Sequence, residues 1–187
     1  MDVCPSDGPV TFEALLTHRC NVLVSLLIRR EALFEAGLFD ESLRSVEDFD
    51  LWARLLARGG RMTYHRRVLV RFRKRRDSLS ADPVWMAEHA LIVLGKLDRT
   101  LTLDPAQERV LRDRTEYFRA ALELARAKRA FFNLEWVVAR SHIARANSYF
   151  RSPRLTLASV GIRTVPGLLL KLYDWRDRMR FGASTRF

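Results

Sequence analysis

Two adjacent carboxylates, Glu47 and Asp48, stand where the sequence predicts that a helix begins. Ser45 and Asp48 have the Ser-x-x-Asp spacing of an N-terminal capping pair. An ionised carboxylate within about 3 Å of a hydroxyl group can accept its proton, and a helix N-terminus favours the ionised form. Acids are also common in the first turn of helices, where Asp48 can simply cap the backbone near Ser45. The local sequence therefore leaves both a catalytic and a structural interpretation open.

A basic stretch follows further along the chain. Between Arg61 and Arg76 there are eight arginines or lysines and no acid. One interpretation is the solvated face of a β-hairpin. Another is a set of phosphate contacts to nucleic acid, which predicts a steep dependence of binding on salt.

The elements that must position these residues form a mixed pattern. The apolar, β-branched run from Val22 to Ile28 predicts a buried strand, and Arg30–Ala36 predicts a short helix capped by Gly37. A second helix is expected to begin near Ser45 and to end at Gly59 and Gly60. Its apolar face is formed by Phe49, Trp52, Leu55 and Leu56. Two extended segments, Arg61–Tyr64 and Val68–Phe72, are expected next, so this part of the chain is predicted to be α/β.

From Pro83 onward the sequence predicts helices. One helix is expected over Trp85–Leu97, and another starts at Asp104, where Pro105 and Gln107 complete a capping box. Further helices are expected over Phe131–Phe150, after Ser152-Pro153 and from Pro166. We therefore predict two domains, residues 1–82 and a helical extension over residues 83–187.

Composition narrows the class of partner. The chain has 187 residues, enough for one sizeable core plus an appendage, and its formal net charge of +11 predicts an anionic partner. The two cysteines, Cys4 and Cys20, make no disulfide framework, and no zinc-ligand spacing accompanies them. Neither a signal peptide nor a membrane-spanning run is predicted. These features favour a cytoplasmic protein.

Three consecutive blocks carry a family resemblance: Leu27–Leu43 with Glu47–Trp52, then Val68–Arg73, then Ser78–Ser80. In this order they resemble the acceptor-side half of bacterial family 2 glycosyltransferases. The resemblance implies a partial GT-A-like fold, namely the C-terminal half of a nucleotide-sugar transferase sheet followed by an α-helical region. It also implies inverting transfer of a sugar from a nucleotide sugar to an acceptor, as in the synthesis of cell-envelope polysaccharides.

The resemblance also implies roles for individual residues. Asp48 takes the place of the general base, and Glu47 takes that of its partner, which helps to position the acceptor. Substrate contacts are expected from Trp52 and from three arginines near the pyrophosphate of the donor: Arg71, Arg73 and Arg75.

This sequence departs from the family pattern in two respects. Arg75 stands where the family often has a metal-contacting histidine, and arginine cannot ligate a metal. Only twenty-one residues precede Val22, and they contain no Asp-x-Asp motif. A divalent metal, Mg or Mn, is expected for the family, but its ligands are not found in this chain. We therefore expect that the donor-binding half is missing and that the 187 residues alone do not transfer sugar.

The expected partners are a nucleotide sugar and a sugar or lipid-linked acceptor. Residues 165–180 predict a basic amphipathic helix, so peripheral contact with the inner face of the plasma membrane is one expectation and packing against the preceding helices is another. The alternative function is a non-catalytic basic module that binds nucleic acid or an anionic membrane surface. Nucleic acid is the less favoured partner.

Overall fold

The computed structural model describes residues 8–20, 26–65 and 78–181, with side chains described as far as Tyr173. Its α-helices are α1 (Phe12–Leu16), α2 (Arg30–Glu35), α3 (Glu47–Ala57), α4 (Pro83–Thr100), α5 (Pro105–Phe132), α6 (Trp136–Phe150), α7 (Pro153–Thr164) and α8 (Pro166–Phe181). A 3₁₀ turn over Leu79–Ala81 precedes α4.

The predicted α/β fold is wrong. Of the described residues, 71% lie in α-helices, and these residues contain no β-strand, so the fold is all-α and carries no GT-A sheet. Within the described ranges, Val10 and Met62 form one isolated antiparallel β-bridge. Met62 belongs to the segment that was predicted to be extended, and the other such segment, Val68–Phe72, lies outside the described residues.

The apolar run predicted as a strand shows why the fold class was misjudged. Its first residues lie outside the described ranges, and Leu26–Ile28 has no regular secondary structure. Leu26 and Ile28 pack against the helical core, whereas the side chain of Leu27 is fully exposed. This alternation is typical of an extended backbone, but Leu26–Ile28 joins no neighbouring strand. A short apolar run does not by itself reveal whether a pairing partner exists.

Glycines end the two short helices as the sequence predicts. Gly37 has a φ of 85°, and its N–H donates to the Phe34 carbonyl at 2.9 Å, while the Leu38 N–H donates to the Leu33 carbonyl at 3.1 Å. After α3, Gly59 has a φ of 81°, and two equivalent hydrogen bonds close the helix. Both ends are Schellman motifs, which need a left-handed residue that glycine adopts without strain.

The helices beyond Pro83 are confirmed, with small shifts in their bounds. The capping box at α5 forms as expected, since Asp104 Oδ1 accepts from the N–H groups of Ala106 and Gln107, and Gln107 Oε1 accepts from the Asp104 N–H. The turn before α6 lies later than predicted, because Leu134 adopts a left-handed conformation and α6 begins only at Trp136.

The chain divides into two compact units, Met1–Phe118 and Arg119–Phe187, and the division falls within α5. In the first unit, α1, α3 and α4 pack around a core that includes Leu16, Leu51, Val93, Leu94 and Leu97. The boundary predicted between residues 82 and 83 falls between α3 and α4, and both of these helices contribute to this core. The division into residues 1–82 and 83–187 stays a prediction.

The second unit has its own small core of Ala127, Ile143 and Ile162. The helix α7 packs on α6 and contacts α8. No single helix in the described part of the chain is long and apolar enough to cross a membrane. A bent pair, Pro153–Thr164 with Pro166–Tyr173, passes that test only when both helices are taken together.

Candidate functional site

The predicted acid pair lies at the very start of α3. Glu47 is the first helical residue and is exposed, and Asp48 is half-buried beside it. The predicted capping pair is wrong, because Val46 occupies the N-cap position and no side chain caps the helix. Ser45 is instead buried, and its hydroxyl donates to Met86 Sδ on α4 at 3.7 Å. The acids are therefore not engaged in capping through Ser45.

Burial changes the electrostatics expected for Asp48. Loss of hydration raises the pKa of the Asp48 carboxyl above its usual value, and the nearby charge of Glu47 adds to the rise. A hydrogen bond from the Phe49 N–H to Asp48 Oδ1, at 2.7 Å, opposes the shift without cancelling it. The helix N-terminus was expected to favour the ionised form, but burial outweighs that effect.

The residue before the acid pair is held in a strained conformation. Val46 has a φ of 64° and a ψ of 17°, which is left-handed and costly for a β-branched side chain. Its two flanking segments are both tied to α4: Ser45 through Met86, and Asp50 through Lys96. Such strain persists only where the surroundings fix it, and it is concentrated at functional sites.

Asp50 is the centre of a buried ionic cluster. Its side chain is fully buried, and its Oδ2 accepts from Arg54 Nε at 2.9 Å and from Lys96 Nζ at 2.9 Å. Lys96 also pairs with Asp40 Oδ2 at 2.7 Å. Asp50 Oδ1 has no hydrogen-bond partner among the described residues. We call Asp40, Asp50, Arg54 and Lys96 the α3 ionic cluster.

Arg54 extends this cluster to the loop between α2 and α3. Its guanidinium donates to the carbonyl of Ala36, and its second terminal nitrogen donates to the Leu38 carbonyl at 2.7 Å. Ala36 is the C-cap residue of α2, and Leu38 lies two residues further on in the loop. The cluster therefore clamps the end of α2 to α3, and Lys96 joins both to α4.

Asp40 is the outer carboxylate of the cluster. Hydrogen bonds from Lys96 and from the Ser42 side chain and N–H hold its pKa well below the usual range. An open depression of about 230 Å³ lies over this edge, lined by Gly37, Asp40, Arg54, Arg58, Lys96, Thr100 and Leu101. The depression borders the ionic cluster, whose charges are already paired, so its chemistry is mainly structural.

Sequence reasoning missed this cluster. The four-residue spacing of Asp50 and Arg54 is the signal that could have revealed the pair, because such residues are neighbours on a helix. Lys96 lies 46 residues further on, and no local pattern connects it to Asp50.

Trp52 is placed in the core rather than at a surface. It is 4% exposed, and its ring meets Phe39 edge-on, with centroids 6.2 Å apart. Its Nε1 is buried and has no partner within the described ranges. Phe39 is about half exposed, so it separates Trp52 from solvent. The predicted substrate contacts Arg71, Arg73 and Arg75 lie outside the described residues.

No group of three or more histidine, cysteine, aspartate or glutamate side chains in the described ranges is placed to hold a metal ion. Cys20 is buried, and its thiol donates to the Pro9 carbonyl at 3.5 Å.

Comparison with known proteins found no similar protein. No protein-family model, no curated protein and no solved structure matches the chain at a significant level. A functional assignment therefore depends on the chemistry of the acid pair and on the residue blocks that resemble the glycosyltransferase motif.

Proposed function

We propose that Asp48 is the acceptor-activating base of a sugar-transfer site and that Glu47 helps to position the acceptor. The observation that carries the proposal is the placement of Asp48: half-buried, with a raised pKa, two residues after a strained Val46. A purely capping acid needs neither the burial nor the strain.

The raised pKa suits a base. A carboxylate whose pKa lies closer to neutrality holds a proton more strongly, yet it stays ionised at neutral pH as long as the pKa remains below that pH. The exposed Glu47 next to it can accept a hydrogen bond from a neighbouring hydroxyl of the acceptor. The pair is thus suited to a ligand with several hydroxyl groups.

The proposed step is a single displacement. The acceptor hydroxyl transfers its proton to Asp48 while its oxygen forms a bond to the anomeric carbon of the donor sugar. The bond between that carbon and the diphosphate oxygen breaks, and the nucleoside diphosphate leaves with the electron pair. The configuration at the anomeric carbon is inverted.

The proposal assigns the donor to other groups. Arg71, Arg73 and Arg75 would balance the charge of the leaving diphosphate.

The test uses cells from which the gene has been deleted. Their surface glycans are compared by mass spectrometry after complementation with the wild-type chain, with Asp48→Asn and with Glu41→Gln. Glu41 is an exposed acid in the turn before α3 and serves as a matched control. The wild type and Glu41→Gln should restore the glycan, whereas Asp48→Asn should lower its rate of formation by about a hundredfold or more. Full restoration by Asp48→Asn, or a deletion that changes no glycan, would contradict the proposal.

A further inference from the structure

The helix α7 presents apolar side chains on the side opposite its packed face. Leu155 and Ile162 pack in the core of the second unit. Leu157 follows Leu155 by about 200° around the helix, and Val160 lies three residues further on the same outer face. Leu157 is 70% exposed and Val160 is 53% exposed. Such exposure is unusual for side chains of this type when they share one helix face.

The helix α8 continues this pattern after a sharp turn. The chain bends by 119° between the two helices, and Gly161 of α7 lies so close to Leu169 that an added Cβ would be 2.8 Å from its Cδ1. Leu168 and Leu172, one turn apart on α8, remain about half exposed. We call the exposed set the apolar corner: Leu157, Val160, Val165, Leu168 and Leu172.

The charge of α7 and of the first half of α8 is positive. From Arg151 to Tyr173 the sequence contains no aspartate or glutamate and four cations, all of them exposed: Arg151, Arg154, Arg163 and Lys171. Asp174 and Asp177 follow in the second half of α8. In α7, Arg154 and Arg163 lie on either side of the outer apolar face, at roughly 100° steps per residue. A partner must therefore be apolar in its interior and anionic at its rim.

We propose that the apolar corner docks on the surface of an anionic lipid bilayer. Leucine and valine side chains enter the headgroup and acyl boundary, and the flanking cations contact lipid phosphates. This inference is independent of the proposed sugar transfer, and it moves the expected contact from residues 165–180 to both sides of the turn at Val165.

The test is co-sedimentation of the full chain with vesicles of phosphatidylcholine alone or mixed with phosphatidylglycerol. Binding should require the anionic lipid and should weaken as salt is raised. Leu157→Ser combined with Leu168→Ser should lower the partition coefficient by about tenfold or more. Replacing Arg154 or Arg163 by Gln should lower it by about fivefold each.

Ile92→Ser is the matched control. Ile92 is 53% exposed on α4, outside the apolar corner, so its replacement removes about as much exposed apolar area as Leu168→Ser alone and should leave binding unchanged. The helical circular dichroism signal verifies that each variant is folded. The replaced side chains are exposed, so their replacement should leave the fold intact.

Equal binding to both kinds of vesicle, or equal loss from Ile92→Ser, would overturn the proposal. So would retention on duplex DNA with no binding to vesicles, since that would assign the cations to nucleic acid. Self-association that the double serine variant abolishes, again without vesicle binding, would assign the corner to a second copy of the chain. Asp48→Asn should bind vesicles like the wild type, which separates this result from the sugar-transfer test.

Discussion

Replacing Asp50 by Asn tests whether the α3 ionic cluster stabilises the first unit. The substitution keeps the size of the side chain but removes the charge that faces Arg54 and Lys96. Asp50 Oδ2 receives Arg54 Nε at 2.9 Å, a second Arg54 nitrogen at 2.8 Å and Lys96 Nζ at 2.9 Å. Two cations are then left without their shared buried partner.

The magnitude follows from what each cation retains. Removing one partner of a buried ion pair costs roughly 3–5 kcal/mol. Arg54 keeps its bonds to the Ala36 and Leu38 carbonyls, and Lys96 keeps Asp40, so the low end, about 3 kcal/mol, is expected. In a unit of this size each kcal/mol shifts Tm by roughly 4 °C or more, which gives a fall of about 12 °C.

The assay is urea and thermal unfolding of the full chain by circular dichroism, with hydrogen exchange used to locate the change. Faster exchange should appear in α3 and α4 and not in α6 or α7. Asp40→Asn is the matched control, because Asp40 also contacts Lys96 but lies at the outer edge of the cluster. Its loss of stability should be several-fold smaller. The reasoning would be refuted if Asp50→Asn lowered the free energy of unfolding by less than about 1 kcal/mol, which is far below the cost of breaking a buried ion pair. It would also be refuted if Asp50→Asn and Asp40→Asn lowered this free energy equally.

Two further predictions concern the start of α3. Burial raises the pKa of Asp48 in the folded chain, so folding favours the protonated carboxyl. The stability that this group contributes is therefore present below its pKa in the unfolded chain, and it is lost as the pH rises through its pKa in the folded chain. Asp48→Asn should therefore raise Tm at pH 7 but not at pH 3, and a lower Tm at pH 7 would contradict the burial argument. Val46 also packs against the core of the first unit, and a smaller or polar side chain loses that packing. Val46→Asn should nevertheless be more stable in urea unfolding than Val46→Ala by about 1 kcal/mol, because asparagine tolerates a left-handed backbone better than alanine. Equal stability of the two variants would count against strain.

Local signals in the sequence predicted much of the helical structure. Gly37, Gly59 and the box at Asp104 act within one or two turns of their own helix, and such short-range geometry is readable from residue type. The same local reasoning placed Ser45 as a cap, but Ser45 instead bonds to Met86 on another helix. A contact over 41 residues decided its role.

The prediction of the fold class depended on whether an apolar segment has a second strand to pair with, and the sequence alone does not show this. An apolar alternation at Leu26–Ile28 is compatible with a strand, yet a sheet needs a second segment to accept its hydrogen bonds. The candidate site shows the same limit. The pair Glu47 and Asp48 was predicted as a site from its motif and stays a prediction, whereas the ionic role of Asp50 depends on Lys96, which only the fold brings near.

The sharing of one carboxylate oxygen by Arg54 and Lys96 restricts the order in which this sequence can change. A lineage that loses Asp50 first passes through a form in which Arg54 and Lys96 lack their shared carboxylate. A lineage that loses Arg54 first leaves the Ala36 and Leu38 carbonyls without this donor. Lys96 is the permissive first step, because its side chain is 20% exposed and can be hydrated once it is released. Divergence of this region should therefore begin on α4, and homologues that lack Lys96 but keep Asp50 and Arg54 should outnumber those with the reverse pattern.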